Sequence, residues 1–313
     1  MKVFRSLPIL SPTERDKPVA LALGSFDGMH LGHQAMLRRV CEAASDLDFV
    51  PSVLTFEPTP REYFMKERAP AKLLQLRERL QRIAETGIER IYLLRFDERL
   101  ALMPADCFTD VFLTEMMLVR WLLISGEANF GKGRVGNLAF LRGRDNAFLI
   151  EEMETIQYAG MRISSTAVRE ALLKNDLETA QILLGRPYSI SGRVRRGDQR
   201  GRKIGFPTLN LPLSLKPAIS GVFAVRVRGL GKTRYGIASL GVRPTVKQNA
   251  SPILEAHLFD FDENAYGHNI EVEFVARIRD EARFADVNAL VKQIEEDARW
   301  ARRYFQETDN DCK

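Results

Sequence analysis

The sequence predicts an α/β domain built on a parallel sheet, followed by a small antiparallel β-barrel that ends in a helix. The chain has 313 residues, which corresponds to about two domains of roughly 150 residues each. Up to Leu184, continuous apolar runs alternate with segments of helical period, as in a parallel sheet covered by helices. After Gly185-Arg186-Pro187 the runs become short, closely spaced and period-two, with Gly and Pro between them, as in a small barrel. The expected division is therefore residues 1–185 and 186–313.

Taken in order, Val19–Leu23 is an apolar run that stops at Gly24, the mark of a buried strand. Leu31–Leu47 carries Leu31, Ala35, Val40, Ala43 and Leu47 on one helical face. Val50–Phe56 reads as the next strand. Leu76–Glu85 is a helix stopped by Gly87, and Arg90–Phe96 is a strand. Ala105–Leu118 is a helix with Asp106 as its cap. Trp121–Ile124 and Phe148–Ile156 are strands, and Thr166–Leu173 and Leu177–Leu184 are short helices. Ligands of such a sheet sit beyond the carboxyl ends of its strands. In the second half, Ser189–Val194, Val222–Val227, Tyr235–Leu240, Ile253–Phe259 and Ile270–Ile278 read as strands. A helix over Val287–Phe305 closes the pattern.

Composition narrows the class. With 45% hydrophobic and 28% charged residues the chain is neither disordered nor collagen-like. The apolar runs Met116–Val119 and Trp121–Ile124 are broken at Arg120, far short of the about 20 residues that cross a bilayer. Met1-Lys-Val-Phe-Arg5 lacks the apolar core of a secretion signal. Cys41, Cys107 and Cys312 are odd in number and far apart, which disfavours a disulfide framework and a CxxC zinc site. A reducing cytoplasm is expected. The net charge of +5 suits anionic ligands without choosing between small phosphates and nucleic acid. The absence of a long Lys/Arg tail argues against a nucleic-acid arm.

The first chemical constellation is Gly24-Ser-Phe26-Asp27-Gly-Met-His30-Leu-Gly32-His33, where the first strand passes into the first helix. A helix N-terminus offers unpaired N–H groups and partial positive charge to a phosphate. His30 and His33 share a helical face, and Gly32 removes a side chain between them, leaving room for a nucleotide. Two imidazoles there can donate to phosphoryl oxygens as charge develops. The plainer alternative is that they cap the helix or hold a chance ion. Ile163-Ser164-Ser165-Thr166-Ala-Val-Arg169 is the second piece. Its hydroxyls suit helix capping, and Arg169 falls within the first turn, in reach of a phosphate. Alone it is a cap plus a surface arginine; with HxGH in the same domain it points to a phosphate site.

A third stretch, Arg193 to Asn210, is basic and Gly-rich and then extended. Its backbone N–H groups can wrap phosphate, with Arg and Lys residues including Lys203 adding charge. It lacks the P-loop pattern GxxxxGK[ST]. Thr208 and Asn210 face the same side of a strand, and their oxygens suit a phosphate-bound Mg²⁺. An RNA-binding or merely solvated loop is the alternative. Glu255 lies among apolar residues on a strand, where it could orient a substrate hydroxyl or take its proton; a strand-edge Glu facing water is the plain reading. His257 points to the same side as Glu255, and His268 reads as a surface turn residue.

Together these stretches resemble the bacterial bifunctional riboflavin kinase/FMN adenylyltransferases, also called FAD synthetases. The resemblance covers nearly the whole chain, through Gly24–Gln34, Thr55–Pro58, Phe130–Arg134, Ile163–Arg169, Leu184–Tyr188, Gly205–Asn210, Gly241–Thr245 and Glu255–Phe261. It implies a Rossmann-like nucleotidyltransferase domain followed by a six-stranded kinase barrel with a terminal helix. It implies phosphorylation of riboflavin by ATP to FMN, then adenylylation of FMN by ATP to FAD and pyrophosphate, with no nucleic-acid or membrane partner. His30, His33, Arg169 and Glu255 take the catalytic roles. Gly24, Phe26, Asp27, Gly32, Asn129, Ser164, Ser165, Thr166, Lys203, Thr208 and Asn210 take nucleotide contacts, and Thr208 and Asn210 also hold Mg²⁺. Three places depart from the family pattern. Leu209 stands where Ala is usual, and Thr59 where His is usual. In Ser125–Gly131, Glu127 takes an Asp/Asn slot and Ala128 replaces an aromatic, with Asn129 next to them. A tRNA-charging ligase shares HxGH but brings a KMSKS-like loop that this chain lacks, and a carrier without turnover has no need of His30, His33 and Glu255.

Overall fold

The computed structural model of the chain describes residues 1–6, 17–197, 201, 204–213, 216–242 and 252–310. It forms two compact units, Met1–Pro70 with Leu76–Ser165, and Ala71–Gln75 with Thr166–Lys313.

In the first unit, β1 (Lys2–Phe4), β2 (Val19–Leu23), β3 (Val50–Phe56), β4 (Arg90–Leu94), β5 (Val119–Ser125) and β6 (Leu149–Met153) form one parallel sheet. Their spatial order is β1-β4-β3-β2-β5-β6. The order reverses between β2 and β5, and the crevice beyond the strand ends there is where such sheets bind ligands. Val19 to Ala22 are fully buried, which is why β2 reads as an unbroken apolar run rather than an alternating one. The Leu31–Leu47 helix has the expected bounds and buries Met36, Leu37, Val40, Ala43 and Ala44 against the sheet.

Other elements differ from the sequence reading. The Leu76–Ala84 helix ends one residue early; Gly87 donates to the Ala84 carbonyl with φ +95°. The strand read as Arg90–Phe96 stops at Leu94, and Phe148–Ile156 shrinks to Leu149–Met153. Ala105–Leu118 is not one α-helix. It is α-helical over Ala105–Cys107 and π-helical over Phe108–Met116. Asp106 does not cap it: Pro104 holds the cap position, and Asp106 lies inside the first turn, accepting from the Cys107 N–H. Strand β1, the helices Pro60–Met65, Glu98–Ala101 and Leu138–Arg142, and the hairpin β7 (Gln157–Tyr158) with β8 (Met161–Arg162) have no counterpart in the sequence reading.

Thr59 begins one of these short helices. Its hydroxyl accepts from the Glu62 N–H at 3.3 Å, and the Glu62 carboxylate accepts from the Thr59 N–H at 2.8 Å, a reciprocal capping box. Thr59→Ala is expected to cost about 1 kcal/mol, read as a lower denaturant midpoint; an unchanged midpoint would show that the box adds nothing.

The second unit carries β9 (Ser189–Arg193), β10 (Leu209–Pro212), β11 (Gly221–Arg228), β12 (Arg234–Val242), β13 (Pro252–Leu258) and β14 (Asn269–Arg279). They form an antiparallel sheet in the order β10-β13-β12-β11-β14-β9. An isolated bridge between Arg195, just past β9, and Asn210 of β10 nearly closes it into a barrel. The terminal helix runs over Val287–Asn310, beyond the expected Phe305. It docks through buried Asp297, which accepts from Arg279 of β14 at 2.8 Å, and through Ala301 and Phe305 packed with Ile237 and Phe259.

The Leu177–Leu184 helix has its expected bounds, capped by Asp176 at the start and by left-handed Gly185 at the end. Almost all of the Ser165–Leu173 helix, and the whole Leu177–Leu184 helix, belong to the barrel unit. So does the short segment Ala71–Gln75, whose Lys72 bridges to Pro217. Compactness therefore divides the chain at Ser165/Thr166, before the change of composition at Gly185.

Candidate active sites

The first site forms where β2 ends. His30 is the N-cap of the Leu31–Leu47 helix, and its Nδ1 accepts from the His33 N–H at 3.3 Å. The two rings stack with centroids 3.7 Å apart and 19° between planes. Because Nδ1 accepts, the proton of a neutral His30 ring sits on Nε2. Gly32 lies close against the His30 ring. A Cβ there would lie 3.1 Å from His30 Nδ1 and 3.6 Å from the Ile163 carbonyl, so the missing side chain makes room for the His30 ring. Gly24 does the same for Phe26, whose ring a Cβ would meet at 3.1 Å. Phe26 is fully buried with φ +51° and sits 5.2 Å from the His33 ring, propping it.

A cavity of about 1150 Å³ opens over these residues, lined among others by Gly24, His30, Gly32, His33, Asn129, Ser164 and Ser165. The Ser165 hydroxyl does not serve as a simple helix cap: it donates to the Asp27 carbonyl at 2.8 Å and ties the SSTxxR start to the HxGH approach. Asn129 is exposed, and its amide donates to the Glu127 carbonyl at 2.7 Å, while Glu127 pairs with Arg162. Thr166 and Arg169 belong to the second unit, where Arg169 donates to the Ala71 carbonyl at 2.7 Å.

The same cavity has an apolar lining of Phe56, Phe64, Phe96, Phe108 and Phe130. Phe96 meets Phe56 and Phe64 edge-on at 5.6 and 5.7 Å. Arg79, 2% exposed, donates to the Ser25 and Phe56 carbonyls at 3.1 Å and to Glu57 at 2.8 Å. One guanidinium thus holds the ends of β2 and β3 together. Sequence reasoning singled out neither Arg79 nor Phe64 and Phe96, which meet from segments far apart in the chain.

The second site lies in the barrel. Glu255 sits on β13 between β10 and β12, facing Asn210 on one side and Ser239 on the other. It is half-buried and not at an edge, against the plain reading of the sequence. Asn210 is buried and its amide donates to the Thr208 carbonyl at 3.2 Å. A Cβ at Gly197, in the basic loop, would fall 2.5 Å from Asn210 Oδ1, so the missing side chain lets the loop backbone pack closely on the Asn210 amide. Thr208 and Leu209 line a cavity of about 440 Å³ with Arg196 and Tyr266, the guanidinium 5.4 Å from the Tyr266 ring.

Lys203 and residues 243–245 of the Gly241–Thr245 stretch lie outside the described residues. His268 is exposed, as expected. A second carboxylate, Glu281, accepts from the Ser239 hydroxyl at 3.5 Å. Burial, and less strongly the charge of Glu255, push its carboxyl above the usual range, against the Ser239 hydrogen bond and Arg279. No sequence motif pointed to it.

Two family models match separate parts of the chain. The riboflavin kinase family model matches residues 184–305, and the FAD synthetase model matches residues 12–167. The chain is 42% identical to the bifunctional riboflavin kinase/FMN adenylyltransferase of Haemophilus influenzae, covering 91% of this chain and 94% of that one. With the Escherichia coli K12 protein of the same name the identity is 41%, covering 97% and 98%. A solved Streptococcus pneumoniae structure titled a macrolide-efflux protein aligns with a TM-score of 0.74 and 28% identity, over 95% of this chain and 96% of that one. Among the described residues, no helix is long and apolar enough to cross a membrane.

Proposed function

Since the chain belongs to the bifunctional riboflavin kinase/FMN adenylyltransferases, we propose that its two cavities divide the two reactions. FMN adenylylation belongs to the cavity beyond β2, and riboflavin phosphorylation to the barrel. The observation that carries this is the stacked His30–His33 pair at a helix N-terminus in a cavity also lined by Phe56, Phe64, Phe96, Phe108 and Phe130. That combination suits both a phosphate and a flat apolar ring.

In the first reaction an FMN phosphate oxygen bonds to the α-phosphorus of ATP, the bond to the bridging oxygen breaks, and pyrophosphate leaves. The nucleophile is already anionic, so no base is needed. His30 Nε2–H and the His33 ring donate to the crowded phosphoryl oxygens, while the bond at His30 Nδ1 fixes the ring. Gly24, Gly32, Ser164 and Ser165 shape the nucleotide side, and Phe26 and Asp27 hold them from behind. Asn129 is assigned by its place on the cavity wall. Thr166 and Arg169 are assigned to ATP phosphates through the motif alone.

In the second reaction the ribityl 5′-hydroxyl bonds to the γ-phosphorus, the β–γ bridge breaks, and ADP leaves. Glu255 orients the hydroxyl and takes its proton late, because a carboxylate is a weak base for an alcohol. Thr208 and Asn210 fit a Mg²⁺ that arrives with phosphate: a hydroxyl and an amide offer neutral oxygens, and Thr208 lies on the cavity wall. When bound, the ion would neutralise phosphate charge. Lys203 is assigned to phosphate by its basic, Gly-rich context. A reducing cytoplasm suits the free thiols Cys41 and Cys107.

The direct test is incubation of the whole chain with riboflavin, ATP and Mg²⁺, followed by separation of the flavins. FMN and then FAD are expected; FMN that is never converted would refute the assignment of the first cavity. The division at 185/186 has its own test. A fragment of residues 186–313 is expected to make FMN and no FAD. If residues 166–313 are active and 186–313 are not, the two helices before Gly185 belong to the working kinase and the boundary moves.

A further inference from the structure

We propose that His257 is a positioning residue of the kinase site, holding the Pro207-Thr208 segment at a fixed offset from the strand of Glu255. The inference rests on reading the barrel as the kinase.

The geometry is specific. β10 and β13 pair by main chain up to Leu209↔Ala256. One more step of that ladder would set Thr208 opposite His257. The ladder stops instead, and His257 Nδ1 lies 2.9 Å from the Pro207 carbonyl. A carbonyl only accepts, so Nδ1 carries the proton. Phe206 and Phe259 stand edge-on to the ring at 5.1 and 6.2 Å and restrict its rotation. Glu255 and His257 share a face of β13, while Leu254, Ala256 and Leu258 are buried on the other. The two residues assigned to the nucleotide are therefore held differently. Asn210 is fixed by main-chain pairing opposite Glu255. Thr208, one bond beyond Pro207 and on the wall of the cavity, is held on one side by the Asn210 amide at its carbonyl and on the other through the His257 side chain at Pro207.

The surroundings of the ring favour its neutral form. Burial holds its pKa below the ordinary histidine value, the Pro207 bond opposes this, and the charge of Arg302 acts with burial. The Nδ1–H donor is present in both protonation forms, so acidification does not break the contact.

The test uses the whole chain and three substitutions. His257→Asn keeps a donor near the place of Nδ1, His257→Gln moves it outward, and His257→Leu removes it. Equilibrium binding of MgADP is measured by calorimetry, with KM for ATP and for riboflavin in the kinase reaction and FMN-to-FAD conversion as the fold control. His257→Leu is expected to weaken MgADP binding and raise KM for ATP by up to about tenfold, the worth of one net hydrogen bond. KM for riboflavin should stay within about twofold and His257→Asn should restore nucleotide binding, because only the donor to Pro207 matters. Parent-like MgADP binding by His257→Leu overturns the proposal, as does a folded His257→Asn as impaired as His257→Leu. If the leucine variant does not fold, His257→Asn against His257→Gln decides, and equal affinities overturn it. A parent chain that makes no FMN would refute the kinase reading itself, a result separate from any of these.

Discussion

Glu255→Gln is expected to slow FMN formation from riboflavin by about 10²–10⁴-fold while FMN-to-FAD conversion continues at the parent rate. Gln keeps the size of the side chain and one oxygen to accept from the substrate hydroxyl, so orientation survives and proton acceptance is lost. Glu255 faces Asn210 and Ser239 across two strand ladders, and an isosteric amide leaves those ladders intact. Both rates are measured on the same preparation, with riboflavin or FMN as the starting flavin. Near-parent riboflavin phosphorylation would remove Glu255 from the mechanism.

The converse holds for the histidine pair. With His30 and His33 both replaced by Ala, the chain is expected to accumulate FMN and make no FAD. Loss of one transition-state donor costs about 2.7–4 kcal/mol, and two stacked rings need not contribute additively. The structure adds a complication, because His30 also caps its helix and removing a cap costs about 1 kcal/mol of stability. His30→Asn separates the two roles: it keeps an acceptor for the His33 N–H and lacks the Nε2 donor. A stable His30→Asn chain that still fails to make FAD assigns the loss to chemistry. A folded double variant that makes FAD at the parent rate overturns the assignment.

The parts of the molecule legible in its sequence are those where one physical signal acts locally. Val19–Leu23, Val50–Phe56 and Leu31–Leu47 have their expected bounds, because a buried strand and an amphipathic helix each write their period over many residues. Glu98–Ala101 and Leu138–Arg142 span too few residues to show any period, and the π-helical turns of Phe108–Met116 follow neither template. At the sites, HxGH was readable because a strand, a turn and a helix start lie in one stretch. A sequence shows that Gly32 lacks a side chain but not that the His30 ring fills the space. Arg79, Phe96 and Glu281 act across the fold on partners distant in the chain, so no local pattern announces them.

The segment Ala71–Gln75 joins the second compact unit although the chain on both sides of it belongs to the first, and its Lys72 pairs with Pro217. On the ribosome, Lys72 emerges about 145 residues before its partner. At roughly 5–20 residues per second that is a wait of about 7–30 s. Every strand of the parallel sheet has been synthesised well before then, so the nascent protein passes through a stage in which one sheet can close around a connection whose own partner does not yet exist. The order of synthesis thus places an adenylyltransferase fold ahead of the kinase that prepares its substrate, with Ala71–Gln75 as the piece held over between them.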